Sequence, residues 1–210
     1  MQCLYSFNQN LNYVSEINRV RGWLTAYIQL NIDEQNEDIA VKYYQYGIKI
    51  GNTLMTGSCG MLHYMQVIRL FSALKKELKN PALSPENREK CLKMLPGHQE
   101  YADFLKQAFT DERKSQLNFV AEYKENPDEY KTLAKRLNYT KAMDRAISYS
   151  PDQLDELCDK YLTAVHKAFE EKTITAKSKF SVGSEEDDEM FRTFFPFIPM
   201  LAKNLKSSGR

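Results

Sequence analysis

The stretch SPDQLDELCDKYLTAVHKAF, residues 150–169, is the clearest evidence for the fold class of this chain. Ser150 is a capping residue that precedes Pro151, whose missing N–H costs nothing at the first position of a helix. Gln153 stands where its side chain can bond back to the backbone of Ser150 and complete a capping box. The apolar residues then recur every three or four positions, at Leu154, Leu157, Tyr161, Val165 and Phe169. The stretch therefore predicts an amphipathic helix with one buried face.

Two further pairs, Ser84-Pro85 and Asn126-Pro127, repeat this signal of a cap followed by proline. They predict helices that begin at residues 85 and 127. Glu129 lies three residues after Asn126, so a second capping box is expected there.

The N-terminal part of the chain has the same helical periodicity. Its first predicted helix carries an apolar stripe formed by Tyr13, Ile17, Val20, Leu24, Tyr27 and Leu30. A second helix is predicted from Asn36 to Gly51. Its expected buried face consists of Ile39, Tyr43, Tyr46 and Ile50. A third helix, from Met61 to Leu78, is apolar enough to be central.

The fold predicted from these elements is all-α, with a single multi-helix domain in residues 1–173. About seven or eight helices are expected between residues 11 and 173, and the segment 98–124 is either one long helix or two helices that break near Thr110. Residues 174–189 are polar and acidic and are expected to form a solvated linker. Residues 190–210 form a short C-terminal segment rich in aromatic residues.

Composition and charge exclude several function classes. The 29 basic and 28 acidic residues nearly cancel, so the electrostatic footprint of a nucleic-acid binder is missing. The first residues do not form a Sec signal peptide, and no apolar run reaches the roughly 18 residues that a transmembrane helix needs. We expect a soluble protein that is cytoplasmic or is exported into a host cell without a Sec signal peptide.

The four cysteines are too widely spaced for a zinc site or a disulfide scaffold, and they are predicted to be reduced thiols. No metal-binding motif such as His-Glu-x-x-His occurs, so neither a metal nor another cofactor is expected.

One cysteine suggests an enzymatic alternative. Cys59 is predicted at the start of the third helix, where the helix dipole favours a thiolate, and His63 follows one turn later as a potential base. His98 or His166 could also be brought close by folding. A buried structural cysteine in a helix connection is the competing interpretation.

Aromatic residues suggest a protein-binding surface. Because Tyr43 and Tyr46 are assigned to the buried stripe of the second helix, the neighbouring Tyr44 is expected to point elsewhere and to be available to a partner.

The C-terminal aromatic segment has two interpretations. In the first, its large apolar side chains fold back into a groove on the helical body. In the second, they dock on a partner protein or contact a membrane surface. The side chains concerned are Phe191, Phe194, Phe195, Phe197 and Leu201.

The acidic block Glu185-Glu186-Asp187-Asp188-Glu189 lies within the last 26 residues, before an apolar stretch and the small polar ending Ser207-Ser208-Gly209. It resembles the E-block, the C-terminal glutamate-rich export signal of effectors that intracellular bacteria such as Legionella deliver through a type IVB secretion system. The resemblance implies delivery into a host cell and a host protein or membrane as target.

The leading functional prediction is a protein-interaction module that offers a helical groove or an aromatic face to a protein partner, and that acts as a secreted effector. The alternative is a cysteine-dependent hydrolase or acyltransferase that uses Cys59 with His63. The identity of the partner and the oligomeric state are left open.

Overall fold

The computed structural model describes residues 2–56 and 60–208, with the side chains of residues 14–56 and 60–205. In this described part every regular element is an α-helix, which confirms the all-α prediction. The helices are α1 (Gln2–Asp33), α2 (Glu37–Met55), α3 (Met61–Glu77), α4 (Pro85–Lys93), α5 (His98–Glu125), α6 (Pro127–Arg136), α7 (Thr140–Ala146), α8 (Pro151–Glu170), α9 (Glu185–Phe194) and α10 (Ile198–Ser208).

The proline signals locate three helix starts correctly, because α4, α6 and α8 begin at the predicted prolines. Ser150 and Gln153 form the predicted capping box of α8. The prediction of a second capping box is wrong, because Asn126 makes no side-chain capping bond. Its backbone, at φ −133° and ψ 63°, is not in the extended conformation that Ser150 adopts at φ −66° and ψ 157°.

Helix α5 is one continuous helix through Thr110, so the alternative of two helices is excluded. The chain divides into two compact units, Met1–Phe104 and Leu105–Arg210, with the boundary inside α5. No change in composition marks this position in the sequence. We refer to these parts as unit 1 and unit 2.

Unit 1 is built around α1, α2 and α3, each of which packs on the other two, and α4 packs on α2. Its core is mainly aliphatic, and its most completely buried side chains include Ile28, Ile48, Tyr64, Leu70, Phe71 and Leu74. Removing these side chains from water is the main stabilisation of the unit.

Unit 2 has an aromatic core, in which the C-terminal segment packs against α8. The ring of Tyr161 in α8 stacks on Phe191 at 5.0 Å between centroids, and Phe109 stacks on Phe197 at 5.1 Å. Such pairs add to the stabilisation from area burial alone. The C-terminal aromatic segment therefore folds back into the helical body, as in the first interpretation.

The acidic block is not a solvated linker in the structure. It forms the first turns of α9, where Ser184 and Asp187 make a capping box in place of the predicted linker. Four carboxylates in the first turn complement the positive end of the helix dipole. The charge run is therefore a helix start rather than a connection.

Candidate functional site

The structure buries the opposite face of α2 from the one predicted. Tyr44 is only 2% exposed, whereas Tyr46 is 58% exposed and Tyr43 is half-buried. The prediction that Tyr44 is available to a partner is therefore wrong. Its buried neighbours on α2 are Ala40, Val41, Gly47, Ile48 and Gly51.

Two glycines explain why the helix is rotated in this way. A Cβ atom at Gly51 would lie 2.3 Å from Cζ of Phe71, and one at Gly47 would lie 3.0 Å from the methyl groups of Leu74. Their missing side chains let α3 approach α2 closely on this face. A periodic pattern of large apolar residues does not reveal such a contact, because glycine is not counted among the apolar residues of the pattern.

The stripe expected to be buried lies instead at the surface, beside a second exposed stripe on α1. Large apolar residues on both helices are more than one-third exposed. We call the combined surface the hairpin face, and it comprises Trp23, Tyr27 and Leu30 of α1 with Ile39, Tyr43, Tyr46 and Ile50 of α2.

Contacts between rings join the two stripes of the hairpin face. Tyr27 stacks on Tyr43 at 5.2 Å between centroids, and Tyr46 meets Tyr43 edge to face at 6.3 Å. The guanidinium of Arg19 lies over the ring of Trp23 at 5.3 Å. The aromatic centre of the face is therefore a set of rings in mutual contact across the two helices.

The hairpin face has the composition of a protein-binding surface. Trp and Tyr combine large apolar area with few rotatable bonds and are enriched at interface hot spots. The other large apolar residues that are exposed in the described part of the chain lie outside this hairpin, at Leu92, Met94, Leu137 and Ile147. Scattered exposed residues of this kind are ordinary, whereas a contiguous patch marks an interaction site.

The proposed catalytic pair is only partly visible, because Cys59 lies outside the described residues. His63 is buried at 4% exposure, and its ring meets Phe104 edge to face. Nε2 of His63 lies 2.7 Å from the carbonyl oxygen of Leu54, so this nitrogen donates a hydrogen bond. Nε2 therefore cannot accept a thiol proton while it makes this bond, and the bond joins α2 to α3.

Two cysteines with described side chains are free thiols. Cys91 and Cys158 are both buried, and burial raises the pKa of the Cys158 thiol to about 12. Such thiols are unreactive near neutral pH.

The four C-terminal phenylalanines proposed for partner binding are core residues. Phe191, Phe194, Phe195 and Phe197 are all buried, and Phe195 is completely inaccessible. Ring partners in α5 and α8, together with Tyr139, account for their placement. In this structure the four rings offer no surface to a partner or a membrane.

Among the described side chains of unit 2, the most buried charged group is Asp187 of α9, at 3% exposure. Its Oδ1 accepts hydrogen bonds from Nε of Arg145 at 2.8 Å and from the hydroxyl of Tyr149 at 2.7 Å. Its Oδ2 accepts from the backbone N–H of Ser184 at 2.8 Å, and a side chain at Gly183 would collide with this carboxylate. The cluster attaches α9 to α7.

Two effects oppose each other at the Asp187 carboxyl. Burial alone would raise its pKa, but the hydrogen bonds from Arg145, Tyr149 and Ser184 outweigh burial and hold the pKa well below its usual range. Oδ1 of Asp187 joins α9 to Arg145 and Tyr149, and Oδ2 accepts the bond from Ser184 that caps α9 itself. We therefore interpret the cluster as structural.

Two clefts on unit 2 are open to solvent. One, of about 450 Å³, lies between α7 and α9, and the other, of about 240 Å³, lies beside Lys177 and Arg192. The charged side chains that line them are largely exposed, which differs from the enclosed apolar lining of most small-molecule sites.

Among the described residues, no set of three or more His, Cys, Asp or Glu side chains is placed to hold a metal ion. Within the same part of the chain, no helix combines the length and apolar character needed to cross a membrane. No protein-family model, no curated protein and no solved structure matches this chain.

Proposed function

We propose that this chain is a protein-interaction module that binds a protein partner through the hairpin face. The observation that carries the proposal is the contiguous exposure of Trp23, Tyr27 and Tyr46 on two adjacent helices. Leaving such side chains in water forgoes the stabilisation of burial, about 2 kcal/mol for a large apolar side chain. A partner that covers the face recovers this free energy.

The physical character of the face supports a protein partner rather than a nucleic acid. Its centre consists of aromatic and aliphatic side chains, while charges of both signs lie around it. This is the arrangement of an apolar interface core with a polar rim. A phosphate backbone is bound by a surface with an excess of basic residues, and the near-neutral chain has no such excess.

Delivery into a host cell as an effector is a second part of the proposal, and its support is the resemblance of residues 185–189 to an E-block. Glu185, Glu186 and Glu189 are exposed, whereas Asp187 is buried in its structural cluster. Replacing the three exposed glutamates by Ala should therefore abolish export in a translocation-reporter assay and leave the fold intact. Unchanged export would contradict this part.

The binding proposal is tested by placing a photo-reactive benzoylphenylalanine at position 46 of the full chain and irradiating cells that express it. Tyr46 is exposed at the centre of the hairpin face, so we expect covalent adducts with a protein partner. The matched control carries the same group at Leu137, which is exposed on unit 2.

Adducts at position 46 and none at position 137 would support the proposal. Equal adducts at both positions would indicate non-specific contact, and the absence of adducts at position 46 would refute a binding role for this face.

A further inference from the structure

The occupant of the hairpin face can be inferred from the pattern of residue sizes and charges along it. This inference rests on the proposed function, because it names the partner of the same surface. Gly22 lies in α1 beside Trp23 and is exposed.

Gly22 is not required by the fold of unit 1. A Cβ atom at this position would meet nothing within 4 Å. A glycine in the middle of a helix costs about 1 kcal/mol relative to alanine. Ala26 follows one turn later on the same exposed side. Small residues at this spacing allow the backbone of a facing helix to approach closely, and the described helices of unit 1 provide no such helix here.

The residues on the exposed side of α1 are complementary to themselves when α1 is paired with an antiparallel copy centred on Ala26. In this register Arg19 faces Asp33 of the second copy, and Gly22 faces Leu30 of the second copy. Opposite charges are paired at both ends, and a large side chain fills the space left by glycine. The paired segment, Arg19 to Asp33, is about 21 Å long at 1.5 Å per residue.

The register on α2 provides an independent check. Because Tyr27 stacks on Tyr43, Ala26 lies level with Tyr44 across the antiparallel hairpin. A two-fold axis that passes α1 at the level of Ala26 must therefore pass α2 close to the level of Tyr44.

An axis between Tyr44 and Gln45 places Ile39 opposite Ile50 of the second copy and Tyr43 opposite Tyr46 of the second copy. The exposed apolar residues of α2 thus face one another without any further adjustment.

The charges at the two ends of the hairpin follow the same symmetry. Asp33, Glu34 and Asp38 are exposed near the connection between α1 and α2. Arg19 and Lys49 are exposed at the opposite end. Lys42 and Glu16 each carry the charge opposite to that of the nearer end, so they reduce the charge difference between the two ends without reversing it. Glu16 is paired with Arg19. An antiparallel copy brings each acidic end onto a basic end, whereas a parallel copy would bring like charges together.

We propose that the hairpin face binds a second copy of this chain, with α1 on α1 and α2 on α2 in antiparallel orientation about a two-fold axis. The product is a symmetric homodimer in which the two hairpins form a four-helix arrangement, and the same patch of each copy is used. The dimer covers the exposed aromatic residues of both copies.

Analytical ultracentrifugation of the full chain across a wide concentration range tests the proposal. We expect reversible dimerisation of the wild type. Arg19→Asp and Asp33→Arg should each raise the dissociation constant roughly tenfold or more, because each reversal turns two attractive pairs into repulsive ones. The double variant carrying both reversals should return towards the wild-type constant, since the pairs are then re-formed with exchanged signs.

Gly22→Gln separates folding from assembly. Glutamine favours the helix over glycine and meets no atom of its own chain, so the variant should be at least as stable to unfolding as the wild type. It should nevertheless be monomeric, because the added side chain collides with the facing helix. A destabilised variant would show that Gly22 serves the fold instead.

A cross-linking experiment locates the two-fold axis. In a background with Cys3→Ser and Cys59→Ser, Ala26→Cys should form an intermolecular disulfide with itself when diamide oxidises the two thiols. Leu92→Cys, exposed on α4, is the matched control and should not. Cys91 and Cys158 can stay because they are buried.

A wild type that sediments as a monomer throughout would overturn the proposal. A dimer that tolerates Arg19→Asp and Gly22→Gln, or that leaves Ala26→Cys unlinked, would overturn it equally, because the two copies would then meet elsewhere. The photo-reactive group at position 46 distinguishes this failure from failure of the proposed function: adducts only with other proteins refute the dimer and keep the binding role.

Discussion

Unit 1 and unit 2 place their aromatic residues in opposite ways. Unit 2 stacks Phe191 and Phe195 of its C-terminal segment on Tyr161 and leaves Phe195 with no accessible surface. Unit 1 leaves Trp23 and Tyr46 each 58% exposed on the outside of two helices. The difference shows that a local concentration of aromatic residues does not identify a binding surface. Whether aromatic residues form a core or a surface depends on whether another helix of the same unit covers them.

We expect the greatest loss of stability from Phe195→Ala in unit 2. The variant should lose about 3–5 kcal/mol of unfolding free energy, because a fully buried aromatic ring is replaced by a cavity. Trp23→Ala, the control in unit 1, should change the free energy of unfolding of the monomer by less than about 0.5 kcal/mol. Chemical denaturation monitored by circular dichroism, at concentrations where the protein is monomeric, measures both values.

A comparable loss in the two variants would mean that the hairpin face is covered within the chain in solution. The contrast between the units would then be withdrawn, together with the binding role of the face.

Asp187→Asn tests what holds the aromatic segment in unit 2. The substitution weakens charge-assisted hydrogen bonds from Arg145, Tyr149 and Ser184, so a loss of about 2 kcal/mol is expected at neutral pH. The exposed Glu189→Gln in the same helix is the control and should have little effect.

The effect of Asp187→Asn should depend on pH in a defined direction. The pKa of the Asp187 carboxyl is lower in the folded chain than in the unfolded chain. Its carboxylate therefore contributes stability above the ordinary aspartate pKa of about 4, and this contribution is lost as the pH falls below that value. Urea titrations at neutral and acidic pH should show the gap between wild type and variant shrinking in acid. A gap that is constant with pH would argue against a carboxylate anchor.

The fold was largely predictable because its strongest signals are local. The sequence Ser150-Pro151 with Gln153 sets a helix start through bonds within four residues, so no knowledge of the rest of the chain is needed. The start of α9 was missed because five consecutive acidic residues are also typical of a solvated segment. Only the tertiary bond to Arg145 buries Asp187, and a one-dimensional pattern does not contain that bond.

Glycine substitutions probe the two faces of the hairpin in unit 1. Gly51→Ala places a methyl group against the ring of Phe71 and should lower the free energy of unfolding by about 1–3 kcal/mol, because the ring must move. Gly22→Ala should instead raise it by up to about 1 kcal/mol, because its Cβ enters open space and alanine favours the helix. Thermal unfolding of monomeric samples shows whether the two substitutions change the stability in opposite directions. Equal signs would show that the faces are assigned incorrectly.

The candidate site was less predictable than the fold, and α2 shows why. The interaction module was proposed on Tyr44, yet the periodicity of Ile39, Tyr43, Tyr46 and Ile50 described an apolar stripe that lies outside the core. An apolar stripe shows that one side of a helix avoids water, and it does not show which molecule covers that side. Gly47 and Gly51, four residues apart, were the signal for the side packed within the chain.

Tyr44→Phe gives the smallest expected effect and tests the corrected position of Tyr44. The Tyr44 hydroxyl is buried and has no hydrogen-bond partner among the described residues, beside a cavity of about 10 Å³ that Glu77 and Cys91 also line. An unpaired buried hydroxyl is destabilising, so its removal should raise the free energy of unfolding by up to about 1 kcal/mol. Tyr46→Phe, the control on the exposed side of the same helix, should leave the value unchanged, since its hydroxyl can bond to water in either state. Denaturant titration of the two variants beside the wild type resolves the difference. A clear loss of stability in Tyr44→Phe would mean that the hydroxyl is hydrogen-bonded in solution. A water molecule in the small cavity is the nearest candidate for its partner. Tyr44 would then be a polar anchor of unit 1 rather than only a packing residue.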